Sequence, residues 1–149
     1  MKMNWIYRFA FSLLFLLVCH PPTRAQDQNL VVIGNSKGVP ADMKLAQLKA
    51  TLRGEKLRWP DGSKVVIALL KTTTPIGQNT SRKIYNMSAN ELNKYWLALV
   101  FQGKADAPNF FNSEAELAEF VAQTTGAIGV VNQPAPSSKT ITIEGKKSL

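Results

Sequence analysis

Two apolar runs without a polar face constrain this chain most. Val65-Val66-Ile67-Ala68-Leu69-Leu70 and Ala127-Ile128-Gly129-Val130-Val131 carry no polar side chain at any position. A strand with one face in water alternates polar and apolar residues, whereas a strand covered on both faces does not. Each run is entered from a glycine helix stop. Arg53-Gly54 leads into the turn Trp59-Pro60-Asp61-Gly62, and Thr124-Thr125-Gly126 leads directly into Ala127. Helices that stop and run into doubly buried strands imply an α/β fold, with a mainly parallel central sheet covered by helices on both faces.

The periodicity elsewhere supports that reading. Leu30-Val31-Val32-Ile33 reads as a further buried strand, followed by a loop over residues 34–40. Asp42 is placed to cap a helix reaching about Leu52, with Leu45, Leu48 and Leu52 on one face and Gly54 as its stop. Ser88-Ala89-Asn90-Glu91 and Ser113-Glu114-Ala115-Glu116 have the spacing of capping boxes. The first opens a helix with Leu92, Tyr95, Trp96 and Leu99 on one face, closed by Gly103. The second opens one striped with Leu117, Phe120, Val121 and Thr124. Residues 71–81 read as a loop leading to a short helix near Arg82, and residues 104–112 as a loop holding Phe110-Phe111. Thr140-Ile141-Thr142-Ile143 alternates as an edge strand does.

Residues 1–25 read as a signal peptide. Lys2 and Arg8 precede an apolar run from Phe9 to Val18, and Thr23-Arg24-Ala25 places small residues before a cut between Ala25 and Gln26. The run is about half the ~20 residues that a membrane-spanning helix needs, so the cleaved chain is expected not to span a membrane. Residues 26–149 then form one domain of 124 residues, exported to the periplasm. The one cysteine, Cys19, and the one histidine, His20, leave with the peptide. That removes disulfides, a thiolate nucleophile, an imidazole base and the ordinary zinc ligands. No metal, no cofactor and no enzymatic activity are expected. Cleavage leaves 15 basic against 10 acidic residues. This excess is too dilute for nucleic acid and suits an anionic ligand or an anionic surface.

The ordered set comprises the leucine helix, Arg53-Gly54, Trp59-x-Asp61-Gly62 and the apolar strand. It continues with Arg82-x-x-Tyr85, Trp96, Phe101-x-Gly103, Ser113-x-x-Glu116 and Thr125-Gly126-Ala127-Ile128-Gly129. It resembles the second lobe of the phosphate-binding proteins that serve ABC uptake systems, and its short exported members above all. The resemblance implies a periplasmic binding protein-like lobe over about residues 31–133 that holds phosphate or a similar oxyanion non-covalently. It also implies a membrane permease as partner, with a second lobe contributed by another chain. The family's phosphate-binding Ser-Gly-Thr run falls on Asn79-Thr80-Ser81, with Thr80 replacing the glycine and no aspartate in the loop.

No acid lies between Asp61 and Glu91, while Lys64, Lys71, Arg82 and Lys83 do. Hydroxyls, free backbone N–H groups and the positive end of a helix dipole converge in such a loop. The candidate ligands are therefore Lys71 and Arg82 for charge and Asn79, Thr80 and Ser81 for hydrogen bonds, with Ser36 joining from the first strand's loop. The alternative is an interaction or sensory module that keeps the fold without a ligand, with Phe110-Phe111 as its partner contact.

Overall fold

The computed structural model describes residues 28–149; the signal-peptide reading and its cleavage site lie outside them. The elements in chain order are β1 (Val31–Gly34), β2 (Asp42–Met43), α1 (Leu45–Leu52), β3 (Val66–Leu70) and α2 (Pro75–Thr80). A π-helical stretch (Ser81–Tyr85) continues α2, and α3 (Ala89–Phe101), β4 (Asn109–Phe111), α4 (Glu114–Gln123), β5 (Ala127–Val131) and β6 (Lys139–Ile143) follow. The strands form one six-stranded sheet in the order β2-β6-β1-β5-β3-β4. The pairs β2–β6, β3–β4 and β3–β5 are parallel, whereas β1 runs against both β5 and β6. The sheet is thus mostly parallel, with one reversed strand in its interior.

β5 shows why a uniformly apolar run is needed there. Successive side chains point to opposite faces. A Cβ on Gly129 would meet Leu117 and Val121 of α4, so that face of β5 lies under α4. Ile128 and Val130 point the other way and are just as fully buried. Both faces are therefore covered. Leu48, Leu52, Leu92, Trp96, Leu117 and Val121 complete the core from the helices, as their spacing implies.

Both serines act as caps. Ser88 accepts from the Glu91 amide while the Glu91 carboxylate accepts from the Ser88 amide at 2.7 Å. At α4 the box is displaced by one residue. Ser113 accepts from the Glu116 amide, but the Glu116 carboxylate reaches the amide of Asn112 instead.

Four expectations are corrected. Asp42 is not a helix cap: it lies in β2, paired with Thr142, and its carboxylate accepts from Thr142 Oγ1 and the Gly145 amide. Those bonds hold it below the usual carboxylate range. Residues 109–111 are not loop but the outermost strand, since their backbone completes the ladder of β3 despite the preceding Pro108. The alternating strand β6 is not an edge, because the two-residue β2 covers it. The helix expected near Arg82 begins seven residues earlier, at Pro75.

The carboxyl end of α1 is closed by two phenols. Tyr85 donates to the carbonyl of Leu52 at 2.6 Å and Tyr95 to that of Arg53 at 2.8 Å. The last carbonyls of a helix have no partner within it, so these hydroxyls supply what α1 lacks and tie it to two later helices. Burial pushes the Tyr85 phenol far above its ordinary range and that of Tyr95 in the same direction.

Candidate functional site

The three parallel strands β4, β3 and β5 end level with one another. Leu70 is registered with Phe111, and Ala68 with Gly129. Continuing both registers sets Lys71 between Asn112 and Asn132, at the carboxyl edge of the sheet where open α/β folds bind ligands. The Lys71 amide donates to Phe111 O at 3.0 Å and extends the ladder, whereas the Asn132 amide leaves it and donates to the Glu114 carboxylate at 2.6 Å, so one carboxylate also stands at this edge.

From Lys71 the chain turns at once into α2. Thr74 is the cap: its hydroxyl accepts from the Gly77 amide at 3.0 Å and donates to Lys71 O at 2.8 Å. Pro75 takes the first helical position, where a missing N–H costs nothing and its fixed φ suits the helix. The first turn lies directly on the end of β3. A Cβ on Gly77 would stand 2.1 Å from Lys71 O and 2.7 Å from Leu70 O, so only glycine allows this approach. Thr72 and Thr73 take no part in the hydrogen bonds that build the turn, and Thr73 is exposed beside exposed Lys71. Lys71 and these hydroxyls are what this edge offers an oxyanion, because Pro75 has no N–H and the Gly77 and Gln78 amides are bonded to Thr74.

The residues singled out from the sequence divide into four groups. Lys71 sits on this edge. Asn79, Thr80 and Ser81 do not precede the helix but lie within it, because the cap is Thr74. Thr80 and Ser81 are buried, Ser81 donating to Met87 O at 2.8 Å, and Asn79 donates to Gln28 O at 2.8 Å. Arg82 is exposed on the π-helical stretch, about 10 Å of helix axis beyond the first turn. Ser36 is at the other end of the sheet. β1 is reversed, so Gly34 is level with Ile128 and hence with Ile67, four strand residues or ~13 Å short of Lys71.

The Ser36 loop has a structural task of its own. Asn35 donates to the last carbonyls of α4, Val121 O and Ala122 O, each at 2.8 Å. Trp59, buried, donates to Gly126 O at 2.8 Å. Thr74, Asn112 and Asn132 were the residues hardest to find from the sequence. Thr-Pro was a usable signal for the cap, but nothing in the residues marks where two asparagines align across strands. Among the described residues, no cluster of three or more His, Cys, Asp or Glu could hold a metal. No described helix is long and apolar enough to cross a membrane.

The fold is similar to that of solved phosphate receptors. An ABC-type phosphate transport receptor from Vibrio cholerae superposes with a TM-score of 0.64 at 14% identity, over 81% of this chain and 48% of that one. A phosphate ABC transporter substrate-binding protein of Clostridium perfringens, solved with bound phosphate, gives 0.60 at 13% identity, over 80% and 46%. PstS from Borrelia burgdorferi gives 0.55 at 14% identity, over 79% and 48%. The chain spans about half the length of these structures. No protein-family model matches it, and no curated protein matches it in sequence.

Proposed function

We propose that this chain is an exported solute-binding domain that holds phosphate or a similar oxyanion non-covalently, without chemistry, in the service of an ABC-type uptake system. The observation that carries the reading is the junction of β3 and α2. A capped helix start sits at the carboxyl edge of a parallel sheet, with Lys71 leading into it and no acid between Asp61 and Glu91. Similarity of fold to three phosphate receptors supports the same reading. Lys71 supplies the charge and Thr72 and Thr73 supply the hydroxyls. Arg82, two helical turns away, and the buried Thr80 and Ser81 contribute to the helix rather than to first contact with the anion. In this reading a second lobe, from a second copy or another chain, closes the site from the other side. The signal-peptide pattern supports a periplasmic domain with a permease as its partner.

A ligand-free interaction module is the second reading. It is favoured by the commitment of Thr74, Thr80 and Ser81 to internal packing and hydrogen bonds.

Thermal unfolding with phosphate, sulfate and chloride titrated at matched ionic strength separates the two. A ligand held only by the folded state at ~100 times its Kd adds about 2.7 kcal/mol. The expected result is a saturating rise with phosphate that Lys71→Ala abolishes and Arg82→Ala retains. Absence of any shift beyond chloride up to millimolar phosphate removes the oxyanion reading and leaves the module.

A further inference from the structure

A second feature lies at the opposite end of the sheet. A cleft of about 610 Å³ opens at the amino ends of β3 and β4, larger than the hollows of about 390 and 330 Å³ elsewhere on the described surface. Four cations line it, Lys56, Arg58, Lys64 and Lys104, against one carboxylate, Asp106. Asp106 is paired with Lys64 at 2.6 Å, which leaves the cleft strongly positive.

Its rim is apolar. Leu57 and Val100 are both exposed and both line the cleft. Leu97 and Phe101 share the exposed stripe of α3 with Val100, at spacings of three and four residues, and Phe101 is 83% exposed. Phe110, the remaining large apolar side chain exposed among the described residues, follows Asn109 of the cleft wall. Leu57 and Val100 thus line the cleft itself, Leu97 and Phe101 extend its rim along α3, and Phe110 points to the other face of the sheet from Asn109. Scattered exposed apolar residues need no explanation, but their collection in one place marks an interaction surface.

We propose that this cleft docks an acidic amphipathic segment of a partner protein, whose carboxylates meet Lys56, Arg58 and Lys104 and whose apolar side chains cover Leu57, Leu97, Val100 and Phe101. Charge complementarity selects the occupant. A second copy of the chain meeting the first face to face sets four cations against four. A flat bilayer reaches the rim but not the concave floor formed by Val66 and Ile67. Nucleic acid matches the charge but leaves the aliphatic rim in water. The site is at the far end of the sheet from Lys71, so it is independent of the oxyanion proposal.

The test is fluorescence anisotropy with the full chain and a labelled synthetic peptide of about 15 residues, Leu at i, i+3, i+4 and i+7 and Glu elsewhere. Three further probes are the same peptide with Leu replaced by Ser, an oligonucleotide of similar charge, and vesicles of phosphatidylglycerol with phosphatidylcholine. Saturable binding of the Leu/Glu peptide is expected, weakened at least tenfold by Lys104→Glu and by Phe101→Ser. Both side chains are exposed, so both variants should fold, and circular dichroism checks that they do. The phosphate response of the two variants should be unchanged. No saturable binding of the Leu/Glu peptide overturns the proposal. So does equal binding of the Ser peptide, the oligonucleotide or the vesicles, or self-association of the chain through this face in sedimentation.

Discussion

Gly77 offers the sharpest test, because two local rules give opposite signs for one substitution. It lies in the first turn of α2 and is not among the glycines with positive φ. By helix propensity alone, Gly77→Ala stabilises by about 1 kcal/mol. The surroundings reverse that. The added Cβ meets Lys71 O at 2.1 Å, and Leu70 O and Lys71 C at 2.7 Å. These are backbone atoms that cannot rotate away, so either α2 or the end of β3 must shift. Three backbone contacts under 3 Å put this overpacking in the upper part of the usual range, about 2–3 kcal/mol, which outweighs the propensity gain and leaves a net loss of about 1–2 kcal/mol. For about 120 folded residues, 1 kcal/mol corresponds to roughly 4 °C in Tm, so a fall of about 4–8 °C is expected in a thermal melt. The same shift displaces Lys71 and Thr72, so any phosphate-induced rise should shrink in this variant. Gly62→Ala is the control. Its Cβ meets nothing within 4 Å, and its cost of about 1 kcal/mol comes from the left-handed φ of +86°. A rise in Tm for Gly77→Ala would refute the close seating of α2 on β3, and with it the geometry of the candidate edge.

Four more outcomes follow from the packing and the hydrogen bonds. Tyr85→Phe strands the buried Leu52 carbonyl and should cost about 1–3 kcal/mol, whereas Tyr95→Phe at a half-buried site, where water replaces the hydroxyl, should cost less; urea unfolding ranks them. Because burial raises the Tyr85 phenol, its contribution is fully present below about pH 10 and is lost as pH rises towards the folded value; Tyr85→Phe should flatten the alkaline limb of a stability–pH profile. Asp42 is depressed chiefly by the bond from Thr142, so its contribution is present above pH ~3.9 and lost as pH falls through the folded value; Asp42→Asn should flatten the acid limb. Leu117→Ala should cost about 2–5 kcal/mol, and adding Gly129→Ala should cost less in that background than in the wild type, since a Cβ there meets Leu117 Cδ2 at 2.6 Å; a double-mutant cycle measures the difference.

Much of the fold was legible because several segments obey a single rule. β5 was read at its observed bounds, since five apolar residues after a left-handed glycine leave few other conformations. The Ser88 box opens α3 as its spacing requires. The candidate edge was half legible. Lys71 stands at the end of its strand, but the helix start was misplaced because residues 71–81 were read as one loop, although Thr74-Pro75 is a cap followed by a first helical residue. Ser36 was grouped with Lys71 because hydrophobicity marks a strand without marking its direction. The reversal of β1 is decided by its partners β5 and β6, about a hundred residues away. Likewise β4 is too short to show a period, and β6 alternates like an edge strand although β2 covers it.

The reversed strand has a further consequence, in the order of events during folding. β1 leaves a ribosome or a translocation pore about a hundred residues before either of its neighbours, β5 and β6. Half of the sheet therefore cannot form until residue 143 or so is free. Pairings of such long sequence separation slow folding, because the loop must close before any contact rewards it. Until then β1 is an apolar strand with two bare edges, the form most prone to wrong pairing. A chain built this way stays unfolded while it is being threaded and folds in one late step, and its yield in a refolding experiment should depend steeply on protein concentration.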